Sequence, residues 1–163
     1  MKLNLGKKVV LVTGGGRDIG KELSNTFANE GASVAINFNN SSKDAKQTAE
    51  EINSKGGVAK VFKADITKYN EVLKMVQSIK KDLGSIDFLI NNAGYTKIQR
   101  FVESNANDWD KQIDTSLKGA INCCHAVAPD MIEKHFGKII NLVGDSSRTV
   151  SYTHLRAHET LDH

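Results

Sequence analysis

The run Val9-Val10-Leu11-Val12-Thr13-Gly14-Gly15-Gly16-Arg17-Asp18-Ile19-Gly20 constrains this chain more than any other stretch. Four aliphatic residues without polar alternation predict a parallel strand buried on both faces. Glycines at 14, 15 and 16 predict a tight turn with room for a ligand to approach the backbone. Ile19, Leu23 and Phe27 then fall at i, i+4 and i+8, one face of an amphipathic helix. A strand that turns over glycines into a helix aims the helix's first unpaired amides, and the positive end of its dipole, at one point. That arrangement suits a phosphate. The common Gly-x-Gly-x-x-Gly spacing is not met, because Ile19 stands at the last glycine; Thr13-Gly14, five residues and Gly20 is the pattern that fits. A glycine-rich loop that binds nothing is the competing reading.

The same alternation continues along the chain. Glu30-Gly31 ends the first helix, and Ser33–Phe38 predicts a second strand. Asn39-Asn40-Ser41-Ser42 is a polar loop, with Ser41 or Ser42 as cap for a helix running to about Ser54. Lys55-Gly56-Gly57 closes it, and Val58–Phe62 predicts a third strand. Val72, Met75, Val76 and Ile79 carry helical spacing, Gly84 ends that helix, and Ile86–Ile90 predicts a fourth strand. Asn105, three before Asp108, resembles a capping box opening a long helix with Trp109, Ile113 and Leu117 on one face. Lys138–Val143 predicts a fifth strand. Five strand–helix alternations predict an α/β fold: a Rossmann-type doubly wound parallel sheet between two helical layers. Ligands on such sheets bind beyond the carboxyl ends of the strands. The segments expected to converge there are the glycine turn, Asn37 to Ser41, Asp65-Ile66, Asn91 to Gly94, and Gly144 to Ser147.

Composition narrows the class. The chain has 163 residues, 39% hydrophobic and 25% charged, as expected of one globular domain with one core. The net charge of +3 is spread out, without the basic stripe of a nucleic-acid binder, and no apolar run suggests a signal or a membrane span. Cys123 and Cys124 are adjacent, which fits reduced packing thiols in a cytoplasmic protein rather than a disulfide or a metal site.

At Asn91-Asn92-Ala93-Gly94 the accumulated pattern resembles the short-chain dehydrogenase/reductase family. The resemblance covers roughly Lys7 to Arg148. It rests on Thr13-Gly14 to Gly20, Asp65 after the third strand, the Asn-Asn-Ala-Gly box, and Gly137-Lys138-Ile139-Ile140-Asn141 at the fifth strand. It implies a nicotinamide dinucleotide held by Gly14, Gly16, Arg17, Asp18, Ile19, Asn37, Asn40, Ser41, Asp65, Ile66, Asn92, Ala93 and Gly94. Asp65 and Ile66 resemble the pair that contacts adenine. NAD-preferring members carry an acidic side chain after the second strand. Here Phe38 holds that position, flanked by Asn37, Asn39, Asn40 and Ser41, so no carboxylate there would repel a 2′-phosphate. Arg17 could pair with that phosphate, a contact worth about 1.5–3 kcal/mol. NADP(H) is therefore expected over NAD(H). The activity implied is hydride transfer between this cofactor and a small carbonyl or alcohol, with a 3-oxoacyl thioester as the substrate guess. Relatives usually associate as homo-oligomers through the long helix.

Four departures from the family pattern stand out. Asp18 replaces a usual glycine, as in a subset of the family. Ser116 stands where an asparagine helps to hold a water relay. Gly144 occupies the serine position, with Ser146 or Ser147 as substitutes. The Tyr-x-x-x-Lys motif, whose phenol donates the proton, is absent. Tyr152 and Arg156 have the spacing but follow Gly144 too closely. His154 and His158 share a face if helical, yet lack a carboxylate partner, so no metal site is expected with them or His163. Residues 150–163 resemble translated adapter read-through and are expected to be a non-native tail beyond an incomplete domain of residues 1–149. On that reading the 163 residues alone are inactive, with an exposed fifth strand that promotes aggregation. The alternative function is a nucleotide-binding module without catalysis.

Overall fold

The computed structural model describes residues 4–144. Five parallel strands, β1 (Val9–Val12), β2 (Ser33–Phe38), β3 (Val58–Lys63), β4 (Phe88–Asn91) and β5 (Lys138–Asn141), lie in the order β3-β2-β1-β4-β5. Between them run α1 (Asp18–Asn29), α2 (Ser42–Ser54), α3 (Tyr69–Asp82), α4 (Ala106–Ile113) and α5 (Gly119–Glu133). Strand order reverses at β1, with β2 on one side and β4 on the other. The doubly wound parallel sheet is thus the observed architecture.

The strands sort their residues by the period of two. Val9 and Leu11 pack with Val72, Met75 and Ile79 of α3 and Cys123, Val127 and Met131 of α5. Val10 and Val12 pack on the opposite layer with Ala28 of α1 and Ala45, Ala49 and Ile52 of α2. All four residues of β1 are at most 3% exposed, which explains the unbroken aliphatic run.

Local expectations were met at four helix ends. Gly31, Gly56 and Gly84, at φ +92°, +83° and +107°, follow α1, α2 and α3. The Asn105 side chain accepts from Asp108 N at 3.2 Å and caps α4. Other expectations need correction. Ser41 holds the cap position of α2 but makes no side-chain cap bond. β3 extends to Lys63, β4 starts at Phe88 rather than Ile86, and β5 ends at Asn141 rather than Val143. On α1 the buried stripe is Gly20, Ser24 and Ala28; Leu23 and Phe27 pack at its flank, and Ile19 is 63% exposed. The small stripe wins because it lets the helix approach the glycine turn. The long helix is interrupted by a π-type turn at Asp114–Lys118, and Trp109, Ile113 and Leu117 all face away from the core.

Among the described residues no helix is long and apolar enough to cross a membrane. Cys123 is fully buried, and burial with the neighbouring Cys124 pushes its thiol up to about 12, so it is a packing residue.

Candidate dinucleotide site

Thr13, fully buried at the end of β1, organises the site. Its Oγ1 accepts from Asn92 N and Ala93 N, each at 3.0 Å, and donates to Ile90 O at 3.3 Å. One hydroxyl therefore fixes the box after β4 against the turn after β1. Asn92 Nδ2 returns the tie by donating to Thr13 O at 3.0 Å and Gly14 O at 3.3 Å.

The glycine turn is shaped by close approach. Gly14 has φ +62°, a left-handed value that side chains resist. A Cβ on Gly16 would lie 2.6 Å from the Ala45 backbone, so α2 leaves no room for one. Thr48 Oγ1 donates to Gly16 O at 2.9 Å, and Ser24 Oγ donates to Gly15 O at 3.0 Å. Asp18 has φ +49°, which explains the glycine usual in the family there; aspartate is among the side chains that tolerate this region.

These loops enclose a cleft of about 530 Å³ at the carboxyl ends of the strands. All thirteen residues expected at the cofactor line it: Gly14, Gly16, Arg17, Asp18, Ile19, Asn37, Asn40, Ser41, Asp65, Ile66, Asn92, Ala93 and Gly94. Ile19, displaced from the core, is part of that wall. Asn37 is only 2% exposed, and its Nδ2 donates to Ala64 O at 3.1 Å and Phe62 O at 3.3 Å, tying β2 to β3. Asp65 Oδ1 accepts from Thr67 N at 3.0 Å and Thr67 Oγ1 at 2.7 Å. Burial opposes its ionisation, but the Thr67 bonds and Lys68 outweigh burial and hold the carboxyl below its ordinary value. An anionic acceptor is thereby kept at the cleft end nearest Ile66.

The cradle fits a dinucleotide phosphate: bare glycine backbone, a helix N-terminus and one guanidinium meet at the crossing of β1 with β2 and β4. Tyr95, Lys111, Thr115 and Thr67 also line the cleft and were not anticipated. Tyr95 follows the box directly and was legible; Lys111, whose Nζ lies 4.2 Å over the Tyr95 ring, was not, because its bearing depends on how α4 crosses the sheet.

The expected chemistry at the other end is less complete. Ser116 is not part of the cleft wall; its Oγ accepts from Tyr95 N at 3.4 Å, behind Gly94. Asn91 Nδ2 donates to Asn141 Oδ1 at 2.8 Å, binding β4 to β5, while Asn91 Oδ1 is buried without a partner among the described residues. Gly144 follows β5 with no side chain to offer. Ser146, Ser147 and the positions Tyr152, His154, Arg156, His158 and His163 lie outside the described residues. Among the described residues no cluster of three metal-ligating side chains occurs.

A short chain dehydrogenase family model matches residues 8–155. The 3-oxoacyl-[acyl-carrier-protein] reductase FabG of Staphylococcus epidermidis is 40% identical over 135 residues, covering 83% of this chain and 55% of that protein. FabG of Staphylococcus aureus is 38% identical with the same coverage. The chain therefore spans about half the length of these relatives. Among solved structures, a candidate gluconate dehydrogenase from Agrobacterium tumefaciens superposes with a TM-score of 0.85 at 29% identity, over 92% of this chain and 59% of that one. The structure of gox2181 gives the same TM-score at 28% identity, over 92% of this chain and 58% of that one.

Proposed function

The chain belongs to the short-chain dehydrogenase family, and on that premise we propose that its cleft binds NADP(H) in preference to NAD(H). The observation that carries this is that Arg17 lines the same cleft as a β2 end built from Asn37, Phe38, Asn39, Asn40 and Ser41, which holds no carboxylate. The glycine turn and the first amides of α1 receive the pyrophosphate. Arg17, with Asn40 and Ser41 as neutral donors, receives the adenosine 2′-phosphate. Ile66 packs against adenine and Asp65 accepts from its amino group. Asn92, Ala93 and Gly94 leave space for the nicotinamide ribose. When bound, the cofactor supplies a hydride for carbonyl reduction.

For the whole protein we propose an oxidoreductase acting on a carbonyl, with a 3-oxoacyl thioester as the substrate class. The names carried by the Staphylococcus relatives support this class. A cytoplasmic setting and association through the Trp109, Ile113 and Leu117 face belong to the same reading. The 163 residues alone are a nucleotide-binding module without turnover. They contain no Tyr-x-x-x-Lys, and Gly144 offers no hydroxyl.

Calorimetric titration with NADP⁺ and NAD⁺, together with an NADPH oxidation assay on an acetoacetyl thioester, tests both parts. Saturable NADP⁺ binding tighter than NAD⁺, with no oxidation, is expected. Tighter NAD⁺ binding would overturn the cofactor assignment, and thioester-dependent oxidation would overturn the inactivity.

A further inference from the structure

Arg17 and Asp18 stand side by side where the glycine turn enters α1, and both line the cleft. Arg17 Nε lies 3.7 Å from Asp18 Oδ2. Among the described residues Arg17 pairs with no other carboxylate, and the two side chains are 68% and 83% exposed. The backbone at Asp18, with φ +49°, is one that glycine takes freely, so the carboxylate is not required by the turn. Asp18 is also the first residue of α1, where a carboxylate is favoured by the helix's unpaired amides; what sets it apart is its place beside Arg17, the one guanidinium lining the cleft among the described residues.

Resting on the reading that Arg17 receives the 2′-phosphate, we infer that Asp18 is a specificity-determining residue whose carboxylate competes with that phosphate for Arg17. NADP(H) must displace the internal pair, whereas NAD(H), with a hydroxyl at that position, leaves it in place. Any repulsion between Asp18 and the pyrophosphate acts on both cofactors and cancels in their ratio. The effect of Asp18 on the ratio of NADP(H) to NAD(H) affinity thus reports on the 2′-phosphate alone, and the Arg17→Ala background separates action through Arg17 from direct repulsion. Exposed pairs of this kind are weak, so the narrowing is about three- to fivefold.

The test is calorimetry of NADP⁺ and NAD⁺ with the 163-residue chain, Asp18→Asn, Arg17→Ala and the double variant. Asparagine removes the charge, keeps the size and tolerates the left-handed backbone; Asp18→Gly is the second variant should Asp18→Asn fold poorly. Asp18→Asn is expected to raise the NADP⁺ to NAD⁺ affinity ratio about three- to fivefold, and to leave that ratio unchanged in the Arg17→Ala background. An unchanged ratio in Asp18→Asn would overturn the inference while leaving the cofactor assignment intact. A rise that persists without Arg17 would also overturn it, because the carboxylate would then repel the phosphate directly. Tighter NAD⁺ binding by the unmodified chain, or binding of neither cofactor, would overturn the assignment and the inference together.

Discussion

Two buried side chains hold the opposite ends of the sheet together. At the carboxyl end, Thr13 gives one oxygen to two backbone amides of the box after β4. Thr13→Val keeps the shape and removes the acceptor, so a loss of about 2–3 kcal/mol is expected in urea denaturation, with Thr13→Ser closer to the parent. At the amino end, Asp87 accepts from Val9 N at 2.9 Å and from Lys134 Nζ at 3.0 Å, with Lys8 Nζ at 3.5 Å. Burial raises its carboxyl, but the Val9 bond and the Lys134 ammonium outweigh burial and hold it below the ordinary value. A depressed carboxyl contributes stability that is fully present above its unfolded value, about 4, and is lost as pH falls through the folded one. Denaturation midpoints between pH 5 and pH 2 should therefore fall more steeply for the parent than for Asp87→Asn. An equally steep fall in the variant would remove Asp87 from the cause. Neither role was legible in the sequence. Thr13 reads as a strand end and Asp87 as one residue of the fourth strand, and only the pairing of β1 with β4 brings their partners within reach.

Elements were more legible than their contacts. Strands showed as short apolar-rich runs, the ends of α1, α2 and α3 as glycines and the start of α4 as a cap, because these signals are local. Which stripe of α1 meets the sheet was not local. The spacing of Ile19, Leu23 and Phe27 describes a helix face correctly, but close approach to the glycine turn selects the neighbouring stripe of Gly20, Ser24 and Ala28. Ile19 is thereby released to the cleft. The same close approach makes Gly16 a contact between α2 and the turn. Gly16→Ala forces α2 outward, so a stability loss of about 1–3 kcal/mol is expected, with weaker dinucleotide binding by calorimetry. Parent-like values for both would show that α2 does not seat on the turn. The π-type turn at Asp114–Lys118 had no sequence cue, whereas Asn105 did; Asn105→Ala should cost about 1 kcal/mol in thermal or urea unfolding.

Taken whole, the molecule gathers its strand-end loops on one side of the sheet and leaves apolar surface on two others. Among the described residues β5 lies at the sheet edge with Ile139 and Ile140 40% and 47% exposed, and Trp109, Ile113 and Leu117 form an open stripe. Bare edges and apolar stripes associate. Light scattering of the 163-residue chain is accordingly expected to rise with concentration, and Ile140→Lys to reduce that rise. The fold class followed from alternation alone, but the convergence of residues as distant as Gly14, Asp65 and Asn92 depends on strand order. Hydrogen exchange with and without saturating NADP⁺ measures that convergence most directly. Residues 14–20, 37–41, 64–67 and 92–95 are expected to be protected together, while residues 29–33, 55–58 and 84–87 at the opposite end of the sheet keep their rates. Protection scattered over both ends, or confined to one of the four loops, would contradict a single dinucleotide cradle.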